Sequence, residues 1–276
     1  MQTVKLKSRG TYVSYLQELL VKLGYDLPAT GYFGQLTDQA VRDFQQKNNL
    51  VIDGQVGLKT WTLLIAKTQP SQSIGDKFLG EQDLRDFASN HGLELAAVKA
   101  VNEVESSGKG FLIDGRPKIL FEGHIFWREL KSRGIDPVSL SQADNADVLY
   151  SKWTRSHYVG GAGEYQRLEK AATLLPDPRA REAALASASW GSYQIMGFHA
   201  LKLGYASVQD FVDQMYIHER NQLEAFGRYL TTFGCMVHLK VKNWAKFAHC
   251  YNGPAYKINK YDEKMAAAYR KYSNQP

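Results

Sequence analysis

Residues 100–111 read AVNEVESSGKGF. Two glutamates, Glu103 and Glu105, stand two positions apart at the end of an apolar helical pattern. On an α-helix such neighbours face different ways, so at most one belongs to a site built on one face. The spacing predicts a helix over 93–107, with Ala97, Val98 and Val101 on its buried arc at about 100° per residue. Glu105 lies four residues past Val101 and seven past Val98, inside that arc. Glu103 lies four residues past Lys99 on the polar side, which predicts an exposed ion pair between them. A carboxylate in an apolar arc is costly unless it is paired, protonated or open to a cleft. Ser106-Ser107-Gly108 reads as the helix end, with Gly108 as a left-handed stop. Glu105 would then sit at the negative end of the helix dipole, in apolar surroundings, and both raise a carboxyl pKa. An acid protonated near neutral pH is what proton donation to a glycosidic oxygen requires. From pattern alone, a buried glutamate with a structural partner stays open.

The 276 residues suffice for two domains, and 44% hydrophobic with 22% charged residues describes an ordinary globular chain. No stretch approaches the roughly 18 apolar residues of a membrane span, so stable membrane insertion is not expected. The opening MQTVKLKSRG has charge without a following apolar run and does not read as a secretory signal. The formal charge of +6 suits an anionic partner, but the basic residues are spread out, so nucleic acid is not the expected one. Cys235 and Cys250 are too few for a disulfide scaffold. Cys250, in the apolar run AHCY, reads as a buried thiol, with a bridge to Cys235 as the alternative.

The first third contains an internal echo: GYFGQLT at 31–37 and GQVGLKT at 54–60 both read G-x-x-G-x-x-T. Each glycine turn runs into a helical pattern, predicting helices over 13–23, 35–48 and 58–66. Leu16, Leu19, Leu20 and Leu23 form one apolar stripe, and Ala40, Val41 and Phe44 another. This is a three-helix bundle over 1–66. Residues 67–78, KTQPSQSIGDKF, read as a flexible linker, and 79–276 as a larger, mostly helical domain. Its helices are expected over 82–90, 93–107, 125–133, 165–175, 178–188, 208–231, 244–250 and 262–272. One short β-hairpin is expected, with Asp114-Gly115 as its turn. The fold class is thus mainly α.

The run from LQELLVKLGY through TGYFGQLTDQAVRDFQ to DGQVGLKTW resembles a three-helix peptidoglycan-binding domain over nearly all of 8–64. Thr30 departs from that pattern, in which an aspartate usually precedes the first glycine. The resemblance implies a domain that holds the protein on the wall polymer. In the second domain, VESSGKGF, SASWGSYQIMG (187–197) and FAHCYNGPAY (247–256) resemble three blocks of the goose-type lysozyme and lytic transglycosylase superfamily. With GRPKILFEGHIFWREL, residues 80–272 look most similar to the N-acetylmuramidase domain of modular phage endolysins. The resemblance implies a lysozyme-like fold and Glu105 as catalytic acid. It implies Trp190, Tyr193, Gln194, Tyr251 and Asn252 along the sugar cleft. Tyr193 replaces a usual methionine, and CYNGP lacks an alanine of the pattern. Both departures bear on transglycosylase chemistry more than on the fold.

Glycoside hydrolysis commonly uses two carboxylates. Glu122, after the hairpin, is the second candidate, its alternative being a structural pair with an arginine or His124. Val159–Glu164, VGGAGE, follows no predicted strand and reads as a loop. His218-Glu219-Arg220 lacks the second histidine of a metalloprotease helix, and no G-x-S-x-G elbow occurs. No metal site and no cofactor are expected. The expected partner is peptidoglycan and the expected state a monomer. The chain would stay in the host bacterial cytoplasm until another protein's membrane lesion releases it to the wall. Two alternatives remain at this point: a lytic transglycosylase on the same scaffold, and a non-catalytic wall-binding or virion structural protein.

Overall fold

A computed structural model describes residues 3–68, 77–106, 110–112 and 114–274. The linker reading over 69–76 and the stop at Gly108 lie outside these residues. The chain divides into two compact units, Met1–Ser73 with Thr154–Glu169, and Ile74–Trp153 with Lys170–Pro276. Residues 154–169, which sequence reading places in the second domain, therefore cluster with the first unit.

The first unit is built on α1 (Thr11–Lys22), α2 (Gln35–Lys47) and α3 (Leu58–Thr68). Val13, Leu16, Leu20, Phe33, Val41, Val56 and Leu64 are fully enclosed between them. The sequence echo has a structural cause. Gly31 and Gly54 both adopt φ +71, a left-handed backbone that favours glycine. Each donates its N–H to a buried glutamine of the preceding helix, Gly31 to Gln17 Oε1 at 2.9 Å and Gly54 to Gln45 Oε1 at 3.0 Å. Each glutamine in turn donates to the threonine ending its repeat, Gln17 to Thr37 and Gln45 to Thr60. Both also donate to a repeat carbonyl, Gln17 to Tyr32 and Gln45 to Gln55. Two buried amides thus fasten two equivalent turns, because a buried amide must find partners for both its ends.

The second unit contains α4 (Glu81–His91), α5 (Leu95–Val101), α6 (Gly123–Ser132) and α7 (Pro137–Leu140). Helix α8 (Gly163–Ala172) runs across the division, and α9 (Pro178–Ala186) lies in the second unit. Helices α10 (Val208–Ile217), α11 (Glu219–Thr232), α12 (Met236–Lys240), α13 (Trp244–Asn252) and α14 (Tyr261–Ser273) complete it. The fold is mainly α. None of the helices searched is long and apolar enough to cross a membrane.

Four local expectations are corrected. The helix after Leu93 does not remain α to its end: Asn102–Ser106 form a π-turn, and Ser106 Oγ donates back to the Asn102 carbonyl. The hairpin around Asp114-Gly115 is present, with Phe111 bridging Pro117, but its outer arm belongs to a larger sheet. Strands β1 (Ile119–Phe121), β2 (Ala188–Trp190) and β3 (Ile195–Met196) form an antiparallel sheet, with Leu120 opposite Ser189 and Ser189 opposite Met196. Periodicity cannot find strands of two or three residues.

The helix expected over 208–231 is two helices. His218 is extended, and its Nδ1 accepts the N–H of Arg220 as the cap of α11. The break aims Glu219 inward, where its carboxylate accepts the N–H groups of Leu79 and Gly110 at 2.9 and 2.7 Å. Finally, Cys235 and Cys250 are joined in a disulfide, with Cα atoms 5.7 Å apart. The fold back from α11 through α12 brings Cys235 beside the last turn of α13, a proximity invisible in a separation of 15 residues.

The glutamine clamps predict equal sensitivity in the two repeats. Gln17→Leu and Gln45→Leu each strand buried partners, at a cost of about 2–3 kcal/mol. Calorimetry should show the first unit melting earlier in both, with weaker pelleting on purified wall. Exposed Gln46→Ala should stay within about 0.5 kcal/mol of the parent.

Candidate active site

The π-turn decides which way the two glutamates face. Its extra residue per turn moves Glu103 off the α5 surface and onto α14. There its Oε2 accepts from Lys271 Nζ at 2.7 Å and Tyr272 Oη at 2.5 Å, which hold its carboxyl below the usual range. Lys99, the partner expected for Glu103, instead pairs with Glu81 at 2.8 Å. Glu105 faces a cleft of about 350 Å³ lined also by Tyr193, Gln194, Ile195, Met196, His199, Tyr229, Tyr251, Asn252 and Tyr261. Asn102, which opens the π-turn, accepts the Tyr193 hydroxyl at 2.7 Å, so the turn is tied to the sheet side of the cleft.

Among the described residues no lysine or arginine lines this cleft. Burial pushes the Glu105 carboxyl up from 4.5 to about 7, and one hydrogen bond, from Asn252 Nδ2 at 2.8 Å, pulls the other way. The neighbours add no compensating charge. Burial raises the phenols of Tyr193, Tyr229, Tyr251 and Tyr261, keeping them neutral. Burial also lowers His199 to about 4, so its imidazole is neutral at pH 7. A cation here would depress the acid; none lines the cleft among the described residues, and desolvation is the largest influence on the carboxyl.

The β2–β3 turn forms one side. Gly191 turns with φ +73, and Gln194 carries a left-handed φ of +51 that a non-glycine residue adopts under constraint. The constraint is a set of hydrogen bonds: the Gln194 amide donates to the Gly191 carbonyl at 2.8 Å and accepts from Ser189 Oγ at 2.8 Å. Behind the turn, Gln222 Oε1 accepts the Ser192 N–H at 2.7 Å. Gly110 approaches this node so closely that a Cβ would lie 2.2 Å from Gln222 Oε1. The opposite side is aromatic. Tyr251 donates to the Tyr193 carbonyl at 2.6 Å, and its ring meets Phe226 and Tyr229 edge-on at 5.0 and 5.5 Å.

A larger cavity, about 610 Å³, opens between α4, α10 and α11. Its carboxylates include Asp83 and Glu224, which pair with Arg220 and Arg228. Chemistry, not size, selects the smaller cleft. Among the described residues no group of three or more His, Cys, Asp or Glu could hold a metal ion.

Residues 94–273 match the family described as N-acetylmuramidase, and residues 9–64 match a putative peptidoglycan binding domain. The chain belongs to the N-acetylmuramidase family. A crystal structure of a Burkholderia AP3 phage endolysin is 42% identical, with a TM-score of 0.66, over 99% of this chain and 100% of that one. The architecture is that of a modular endolysin, and the chain is a peptidoglycan hydrolase of the muramidase class.

In this muramidase, Glu105, Tyr193, Gln194, Tyr251 and Asn252 come together around one cleft, from blocks far apart in the chain. Two sequence candidates do not join them. Trp190 is 1% exposed and donates from Nε1 to the Leu185 carbonyl at 3.1 Å, so it is a core residue and not a sugar platform. Glu122 stands at the N-terminal boundary of α6 without a side-chain capping bond, lies 3.3 Å from His124 Nδ1, and is not among the residues lining the cleft. Tyr229 and Tyr261, which line the cleft, and Glu219, which anchors Gly110 beyond the π-turn, carried no motif that marked them.

The raised carboxyl predicts a pH-dependent stability. The folded pKa of Glu105 lies above its unfolded value, so its stabilising protonated form is complete below about 4.5 and lost as pH rises through about 7. Glu105→Gln removes that loss. Denaturant titrations should find the variant more stable than the parent above pH 7, by at most about 3 kcal/mol, with the gain gone below pH 4.5.

Proposed function

We propose that Glu105 is the general acid that cleaves the β-1,4 bond between N-acetylmuramic acid and N-acetylglucosamine. Its protonated carboxyl donates to the glycosidic oxygen, and the N-acetylglucosamine leaves as an alcohol. Water adds at the anomeric carbon of the muramic residue. The proton released by that water returns to Glu105, directly or through solvent, and restores the acid. The carrying observation is a half-buried carboxyl, pushed up to about 7 by burial, facing a cleft that holds no cation among the described residues. Tyr193, Gln194, Tyr251 and Asn252 are the substrate-facing residues of this reading. Glu122 is left outside the first step, since it is not among the residues that line the cleft.

The N-terminal unit holds the enzyme on its polymer, raising the local concentration of scissile bonds without altering the chemistry. In this reading the chain acts as a monomer. It works at the wall after release from the host cytoplasm. The net charge of +6 favours the anionic wall over a neutral surface.

A second reading has one observation in its favour. Among the described residues Glu105 is the only carboxylate lining the cleft, and a lytic transglycosylase needs only one, because the muramic 6-hydroxyl closes a 1,6-anhydro ring. Mass spectrometry of released muropeptides separates the two. Reducing muramic ends are expected, and ends lighter by one water would replace hydrolysis with ring closure. Glu105→Gln should lower lysis of permeabilised Gram-negative cells by at least about a hundredfold while wall binding survives. For the parent, kcat should fall as pH rises through about 7, as the acid loses its proton. Undiminished lysis by the glutamine variant would remove Glu105 from the reaction.

A further inference from the structure

The disulfide ends one residue short of the cleft. Cys250 is followed directly by Tyr251, which donates to the Tyr193 carbonyl, and by Asn252, which donates to Glu105. All three occupy the last turn of α13, after which Gly253 turns the chain at φ +75. The last turn of a helix lacks the hydrogen bonds that would hold it from beyond, and it frays unless something else pins it. The start of α13 is pinned by the Asn243 side chain, which accepts the Lys246 N–H at 3.1 Å. Its end is pinned by the bridge. Cys235, the other half, is fully buried just after α11. Helix α11 supplies Phe226 and Tyr229, the two rings that meet Tyr251 edge-on. The bridge therefore ties the aromatic wall of the cleft to the turn whose Asn252 is, among the described residues, the hydrogen-bond donor to the acid.

We propose that the Cys235–Cys250 disulfide is a positioning element for the catalytic acid. It holds the last turn of α13 so that Asn252 reaches Glu105, and it couples turnover to the oxidation state of this pair. The inference rests on the reading of Glu105 as the acid. The groups facing that carboxyl are Tyr193 from the β2–β3 turn, His199, Tyr229 from α11, Tyr251 and Asn252 from α13, and Tyr261 from α14. The titratable ones are neutral near pH 7, so the Asn252 amide is the cleft's adjustable influence on the acid.

Closing the bridge converts two thiols into one disulfide. Two protons and two electrons pass to a partner disulfide of the oxidised-glutathione class, which becomes two thiols. A reducing cytoplasm keeps the pair open, whereas the compartment that holds the wall is oxidising. The enzyme would thus be least active away from its polymer and most active beside it.

The test uses the full chain, oxidised with oxidised glutathione or reduced with dithiothreitol, with thiol titration to confirm each state. Turnover on purified peptidoglycan is followed against substrate concentration and pH. Reduction should lower kcat by about tenfold or more with little change in KM, because a misplaced acid slows chemistry without weakening binding. The alkaline limb of kcat should move to higher pH, since Asn252 holds the carboxyl down. The double variant Cys235→Ser with Cys250→Ser should reproduce the reduced enzyme and ignore dithiothreitol. Asn252→Ala should show the same losses when oxidised and respond little to reduction, because bridge and amide act on one contact. A reduced enzyme with the kcat and alkaline limb of the oxidised one overturns the inference. So does a lower melting temperature as the sole effect of reduction, or an Asn252→Ala enzyme that still loses full activity on reduction. Glu105→Gln serves as the separate control. Activity in that variant in either redox state would reject the acid assignment itself.

Discussion

A single half-buried carboxyl, met among the described residues by one amide, is the constraint around which the second unit is arranged. Glu105 receives a hydrogen bond from Asn252, 147 residues further along the chain. One such bond is too weak to outweigh desolvation, so the acid keeps its proton near neutral pH. The balance survives because the surrounding groups are neutral. Phenols whose ionisation burial suppresses and an imidazole lowered to about 4 supply polarity without charge. A lysine or arginine in their place would lower the carboxyl and end its use as a proton donor.

The adjacent glutamate shows how narrow that arrangement is. Glu103 differs from Glu105 by two positions, yet two donors from α14 hold it ionised. The π-turn separates the two roles. It inserts one extra residue into a helical turn, a distortion that costs backbone hydrogen bonding and recurs at functional sites. Here the tie between Asn102 and Tyr193, together with the back-bond from Ser106, maintains it. Local irregularity, a left-handed Gln194 and a costly buried acid are concentrated in one small cleft, while the helices around it are regular. Stability is given up where function needs it and recovered in the packed core.

The first unit solves a different problem with a related device. Its two turns are each fastened by a buried glutamine whose amide bonds at both ends, so the G-x-x-G-x-x-T echo is a repeat of hydrogen bonding as much as of sequence. Buried polar groups thus specify geometry in both units. In the first both glutamine amides bond at both ends, and rigidity follows. In the second one carboxyl is left under-satisfied, and reactivity follows.

Much of this was legible in the chain itself. Apolar stripes of period near 3.6 locate most of the helices, and glycine turns mark the repeats, because both arise from contacts within a few residues. The apolar arc over 93–107 singles out Glu105 from Glu103, although the geometry that separates them is a π-turn and not the α-helix that the arc assumes. The burial of Trp190, the withdrawal of Glu122 to His124, the pairing of Cys235 with Cys250 and the arrival of Tyr229 and Tyr261 at the cleft were decided by tertiary structure alone. Each depends on which distant segment comes to lie alongside. A short strand, a helix break at His218 or a bridge across 15 residues leaves no periodic trace, because long-range contacts, and not local propensity, select it.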